Sequence, residues 1–96
     1  MIFAKSYCPY CKRTKMTFDK VLKELGFDED TLTYDVVELD QLPGGDGVLI
    51  QDYLYDLTDQ RTVPNIFIAG MHIGGNSDIE DLLYDGELHT LLAEAV

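Results

Sequence analysis

Cys8-Pro9-Tyr10-Cys11 is the stretch on which the fold turns. Ahead of it, Ile2-Phe3-Ala4 is a short apolar run that reads as a buried strand. Behind it, Phe18, Val21, Leu22 and Leu25 recur at helical spacing. Two thiols therefore stand where a strand ends and a helix begins. Pro9 fits the first turn of that helix, where a missing N–H costs nothing. A C-x-x-C pair in this setting points to thiol–disulfide chemistry.

Working outward, the first strand is expected over residues 2–7. The helix after it should run to about Leu25, with Gly26 as its stop. Residues 27–30 connect to a β-rich run over 31–39, the second strand. Leu42-Pro43-Gly44-Gly45 is a loop and Asp46 a candidate N-cap. Ile50, Tyr53, Leu54 and Leu57 then repeat the spacing of the first helix and predict a second one. After a polar connection over 58–63, a third strand spans 65–69 and His72-Ile73 begins a fourth. Ala69-Gly70 is the hairpin turn between them, although Ala suits a positive φ poorly. Ser77-Asp78-Ile79-Glu80 has the S-x-x-E form of a capping box and predicts a helix starting at Ser77 and ending near Gly86. A last helix carries Leu88, Leu91, Leu92 and Ala95 on one face. The order predicts one α/β domain over 1–96, with a parallel strand pair first and an antiparallel hairpin after it.

The bulk properties narrow the function. A chain of 96 residues with 46% hydrophobic content suits one small core and is not disordered in composition. No apolar run approaches the roughly 20 residues that a spanning helix needs. No signal peptide is visible, so the expected location is cytoplasmic. A net charge of −11 argues against nucleic acid and anionic membranes as partners. The charge is unevenly spread. Lys5, Lys12, Arg13, Lys15, Lys20 and Lys23 face Asp19 alone over residues 1–23, while Arg61 stands alone against all the other carboxylates. Read plainly, that is a basic helix face. Read functionally, positive charge is gathered where it favours thiolate and attracts an anionic thiol.

Cys8 is the candidate nucleophile. At a strand end, the next helix offers it unpaired N–H groups and the positive end of its dipole. Cys11, a turn into the helix, is expected to be more buried and suits the resolving role. A disulfide closing so short a loop would be a poor staple, so the pair reads as reactive. A zinc site is the other use of such a pair, but it usually needs four ligands, and His72 and His89 lie in no ligand-like spacing. Val63-Pro64 is open to two readings. It either simply begins a strand, or it is a cis peptide facing the thiols with Val63 backbone groups free to pair with a peptide substrate. Gly74-Gly75-Asn76-Ser77-Asp78 is likewise either an ordinary strand-to-helix turn or a cradle for a zwitterionic amino-acid end, with Asp78 accepting from its ammonium.

Cys8-Pro9-Tyr10-Cys11, Thr62-Val63-Pro64 and Gly74-Gly75-Asn76-Ser77-Asp78, in that order and at these separations, resemble the dithiol glutaredoxins. Gln60-Arg61-Thr62-Val63-Pro64-Asn65 and His72-Ile73-Gly74-Gly75 are similar to eukaryotic members. The resemblance implies a thioredoxin-like fold, a four-stranded mixed sheet flanked by helices. Family members usually begin with a helix before the first strand, and this chain starts in that strand, so the fold is expected without it. The resemblance also implies a glutathione-dependent thiol–disulfide oxidoreductase that acts as a monomer on glutathionylated or disulfide-containing proteins. Cys8 would attack and Cys11 resolve. Lys5, Gln51 and Arg61 would meet the glycyl carboxylate side of glutathione, Tyr10 would pack on the tripeptide, and Val63, between Thr62 and cis-Pro64, would pair with its backbone. Gly75, Ser77 and Asp78 would hold the γ-glutamyl end. Glutathione is the expected co-substrate, and no metal is expected. The alternatives are a thioredoxin-like reductant served by a flavoprotein reductase and an iron–sulfur cluster carrier. A cluster needs more thiolates than one chain supplies, and in this family a Pro after the first Cys goes with redox activity.

Overall fold

The computed structural model describes residues 1–27 and 34–95. Its elements are β1 (Ile2–Ala4), α1 (Pro9–Glu24), β2 (Val36–Glu38), α2 (Asp46–Thr58), β3 (Asn65–Ile68), β4 (Met71–Gly74), α3 (Asn76–Asp85) and α4 (Glu87–Glu94), with two short 3-10 turns, Leu39–Gln41 and Pro43–Gly45, ahead of α2. The sheet order is β2-β1-β3-β4. β1 pairs in parallel with β2, Phe3 opposite Val37, and antiparallel with β3, Phe3 opposite Asn65; β3 and β4 form the antiparallel hairpin. The expected fold class, a four-stranded mixed sheet flanked by helices, is the one observed.

The core lies on one face of this sheet. Period-two alternation puts Ile2, Ala4, Ile66 and Ile68 on that face, and the apolar stripe of α1 (Phe18, Val21, Leu22) covers them together with Ile79 of α3 and Leu88 and Leu92 of α4. On the other face Phe3 and Phe67 meet edge to face at 6.0 Å and stay half-buried. α1 stops where its sequence says it should. The Phe27 N–H bonds to the Leu22 carbonyl (2.9 Å) and the Gly26 N–H to the Lys23 carbonyl (3.0 Å), the double closure that a left-handed Gly26 (φ 82°) permits.

The predicted boundaries need correction in several places. β1 is shorter than residues 2–7 because the Cys8 N–H turns back to the Lys5 carbonyl (3.1 Å) and the Ser6 N–H leaves for the Asp40 carboxylate (2.9 Å). These Ser6 bonds, the hydroxyl's being the larger, hold the Asp40 carboxyl below its usual range. β2 is three residues long, its run ending where Leu39 enters a 3-10 turn; the expected strand residues 31–33 and the expected connection over 28–30 lie outside the described residues. Asp46 is the first helical residue rather than the cap, which is a left-handed Gly45. α3 starts at Asn76, one residue early, because the Asp78 carboxylate accepts the Gly75 N–H (2.8 Å). The acid that serves the cap is therefore Asp78, not Glu80.

The apolar period of α2 does not mark one buried face. Leu54 is buried, but Tyr53 and Leu57 are 65% and 59% exposed. α2 packs against the turn at Leu39 through Gly47, where a Cβ would collide with the Leu39 carbonyl.

Candidate active site

The Cys8-Pro9-Tyr10-Cys11 stretch becomes the junction of β1 and α1. Cys8 is the N-cap of α1, in extended geometry (φ −84°, ψ 118°), and Pro9 opens the helix. Capping normally falls to a side-chain oxygen; here the Cys8 sulfur does it, accepting the Cys11 N–H at 3.3 Å. A thiolate, which is a pure acceptor, is the form this donor serves best. On its other side, Cys8 Sγ lies 3.8 Å from the Val63 carbonyl, to which its thiol donates. Both cysteines are free thiols.

Cys11 sits on the buried stripe of α1 and is fully enclosed. Burial, reinforced by its hydrogen bond with Cys8, pushes its thiol up to about 12. The two sulfurs are three residues apart in sequence and differ as the sequence anticipates: one at the helix mouth, the other inside the core.

The Val63–Pro64 peptide is cis. Among the described residues the Val63 N–H makes no hydrogen bond. Between this segment and the start of α3 runs an open groove of about 340 Å³, with Tyr10, Thr62, Val63, Pro64, Gly75 and Ser77 in its walls. These six were all candidate residues, drawn from three distant stretches of sequence. The Arg13 guanidinium lies over the Tyr10 ring at 5.5 Å, so the groove's mouth carries a cation on an aromatic.

Four candidates fall elsewhere. Lys5 is half-buried at the turn before Cys8, outside the groove walls. Gln51 and Arg61 touch each other: Gln51 Nε2 donates to the Arg61 carbonyl at 2.6 Å, and the Arg61 guanidinium pairs with Asp52 at 2.5 Å. Asp78 does not line the groove. One of its carboxylate oxygens, Oδ2, accepts the Gly75 N–H and packs beneath Gly74 (φ 131°) so closely that no Cβ would fit there.

Two residues outside the candidate set do line the groove, Asn76 and Glu80. Asn76 is nearly buried and is held from below by Thr14, whose hydroxyl donates to Asn76 Oδ1 at 2.9 Å. A signal for this exists in the sequence. Thr14 is a polar residue on the apolar stripe of α1, three residues after Cys11, and a buried hydroxyl needs a partner.

The family model described as Glutaredoxin matches residues 1–73. Glutaredoxin-1 of Rhizophagus irregularis is 44% identical over 93 residues, covering 97% of this chain and 81% of that protein. Glutaredoxin-C2 of Arabidopsis thaliana is 45% identical over 95 residues, covering 99% and 76%. Among solved structures, the buckwheat glutaredoxin–glutathione complex superposes with a TM-score of 0.81 at 41% identity, covering 98% of this chain and 76% of that one.

Proposed function

The chain belongs to the glutaredoxin family of thiol–disulfide oxidoreductases, and from that premise we propose that it reduces glutathione mixed disulfides and protein disulfides with glutathione as the reductant. The observation that carries the reading is the Cys8 sulfur itself. It caps α1 with the Cys11 N–H on one side and the Val63 carbonyl on the other, and Val63, whose N–H is free, stands in the groove wall. The buckwheat relative, solved with glutathione, supports the choice of thiol.

In the proposed cycle, the Cys8 thiolate attacks the glutathione sulfur of a mixed disulfide. A bond forms between Cys8 and glutathione, the original S–S bond breaks, and the electron pair leaves on the substrate sulfur, which takes a proton from solvent. A second glutathione, as thiolate, attacks the bound glutathione sulfur. Oxidised glutathione departs and the Cys8 thiolate returns. The Val63 backbone pairs with the bound tripeptide and Tyr10 packs on it. For a protein disulfide, Cys8 forms the mixed disulfide with the protein and Cys11 resolves it. That step leaves a Cys8–Cys11 disulfide, which two glutathione molecules reduce.

The test is the assay of a small glutathione mixed disulfide coupled through glutathione, glutathione reductase and NADPH, run beside a protein disulfide. Cys8→Ser abolishes both activities. Cys11→Ser retains deglutathionylation and loses most of the dithiol reaction. A Cys11→Ser variant inactive on the mixed disulfide would overturn the assignment.

A further inference from the structure

α1 has two faces. Its buried stripe, with Cys11, Phe18 and Val21, meets the core. On the opposite side Lys12, Met16, Lys20 and Lys23 recur at steps of four, four and three residues, and all four are exposed. Met16 is 71% open to solvent. In a chain with 18 carboxylates against 7 Lys and Arg, such cations should be the first to find partners. Among the described residues, Lys12, Lys20 and Lys23 nevertheless make no ion pair. The two acids of α1 flank the stripe and are engaged elsewhere. Asp19 accepts the Tyr34 hydroxyl at 2.7 Å, and Glu24 pairs with His89 at 2.8 Å. Nor does the far end of the stripe serve the thiols. At a rise of 1.5 Å per residue, Lys20 and Lys23 lie about 18 Å and 22 Å along the helix from Cys8, well past the Debye length of about 8 Å at physiological ionic strength. The helix dipole accounts for Lys23 in the last turn, but not for Lys12 near the start.

We infer that this face of α1 docks an acidic segment of the protein substrate, carried beside the sulfur that Cys8 attacks; the inference rests on the function proposed above. The stripe begins one turn from Cys8 and runs about 16 Å from Lys12 to Lys23. A standard protein interface of about 800 Å² per partner is roughly 30 Å across. One partner can therefore hold its sulfur at Cys8 and cover the stripe as well. Three unpaired cations complement carboxylates on that partner, and Met16 among them is an adaptable apolar contact that accepts varied side chains. Glutathione is three residues long and spans at most about 10 Å, so it does not reach Lys20 from Cys8. A broad anionic surface, membrane or nucleic acid, would press on the acidic remainder of a chain of net charge −11, which a single acidic segment avoids.

Net charge alone predicts the opposite sign, because a protein of −11 should turn over an acidic substrate more slowly than a neutral one. The experiment uses two peptides, each with one glutathionylated cysteine flanked on both sides by eight residues. The flanks are Glu and Leu in one peptide, Gln and Leu in the other. Eight extended residues span about 27 Å, enough to pass Lys23. Glutathione is the reductant, and peptide-thiol release is measured directly. At 20 mM NaCl wild type prefers the acidic peptide about five- to tenfold in kcat/KM, the scale of two or three exposed ion pairs. At 300 mM NaCl the preference falls toward unity. Lys20→Gln/Lys23→Gln loses most of the preference and keeps its activity on a small glutathione mixed disulfide, whereas Lys20→Arg/Lys23→Arg keeps the preference. Leu49→Glu/Leu57→Glu, which lowers the net charge by the same two units at exposed sites of α2, keeps it too. A wild type that favours the neutral peptide, or a Lys20→Gln/Lys23→Gln variant that retains the full preference, overturns the inference while the proposed function stands. So does a dimer at 20 mM NaCl, or binding to phosphatidylserine vesicles, that the same variant abolishes, since either gives the stripe another occupant. A wild type that reduces neither peptide nor the small mixed disulfide overturns the functional reading itself, and this inference with it.

Discussion

Cys8 and Cys11 share a helix end and little else. Cys8, 8% exposed, lies against the Val63 carbonyl, whereas Cys11 is fully closed in by the core and its thiol is pushed up to about 12 by burial. The consequence for reactivity has a definite sign. Thiolate is the attacking species, so Cys11 in a Cys8→Ser variant should alkylate with iodoacetamide slowly near pH 8, and its rate should keep climbing with pH well past 9. A rate that levelled off below pH 9 would contradict the burial account. The same shift has a stability sign. Unfolding returns Cys11 to its ordinary value of 9.0, so between about pH 9 and 12 the unfolded chain sheds a proton that the folded one keeps. This contribution to stability is fully present below pH 9 and is lost as pH rises toward 12. A Cys11→Ala variant should therefore show a flatter decline of Tm over that window than wild type. At this scale the sequence is informative about which atoms react and less so about which recognise. The different settings of the two thiols follow from strand, Pro and helical spacing. The bond of one Asp78 oxygen to the cap of α3 and the place of Glu80 on the groove wall do not, because both depend on which residue begins that helix.

Among the elements, those with strong local signals were legible. α1 declares itself by its apolar period, its opening Pro and its closing Gly, and β3 and β4 by the turn between them. That turn also holds a local conflict. Ala69 sits at φ 51° ahead of Gly70 at φ 78°, a left-handed conformation that costs a residue with a Cβ roughly 1–2 kcal/mol. Ala69→Asn should recover about 0.5–1 kcal/mol of this, read as a higher urea midpoint with no change in slope. A lower midpoint would mean that the Ala methyl has a packing role. α2 was the element least legible. Its periodicity is genuine, but periodicity states only that a helix has a stripe, not that a neighbour lies beneath it. Here Tyr53 and Leu57 stay exposed, and the helix packs against Leu39 through Gly47. Gly47 therefore carries the docking. Gly47→Ala should cost about 1–3 kcal/mol, or some 4–20 °C in Tm for a domain of this size. An unchanged Tm would show that α2 adjusts freely.

At the scale of the whole molecule, charge opposes compactness. The chain has 18 carboxylates against 7 Lys and Arg, and folding packs the excess into a body whose radius of gyration is 13.3 Å. Two unit charges about 17 Å apart in water repel by only roughly 0.25 kcal/mol, but a net charge of −11 supplies many such pairs. Unfolding spreads them over a coil about twice as wide, which relieves part of the repulsion. Working against this are the ion pairs of the described residues, Lys15–Glu38, Arg61–Asp52 and His89–Glu24, all at least partly open to water. Each is worth about 0–1 kcal/mol, and the most exposed are worth least. Salt weakens both effects, and the repulsion is the larger sum. It also acts over longer distances, so a Debye length that falls to about 10 Å at 0.1 M removes most of it while sparing contact pairs. Raising NaCl from 10 mM to 300 mM should therefore raise Tm by several degrees, with most of the gain below 100 mM. A Tm that fell with salt would mean that the few ion pairs outweigh the excess of carboxylates. The same field would act on glutathione, itself an anion: far from the protein it would be repelled, and in the proposed groove it would meet Arg13 on Tyr10 and the N-terminus of α3. Moderate salt should thus raise kcat/KM as well, because it screens the distant repulsion before the close attraction. A steady fall of kcat/KM from the lowest salt upward would instead place the basic stretch over residues 1–23 in control of encounter.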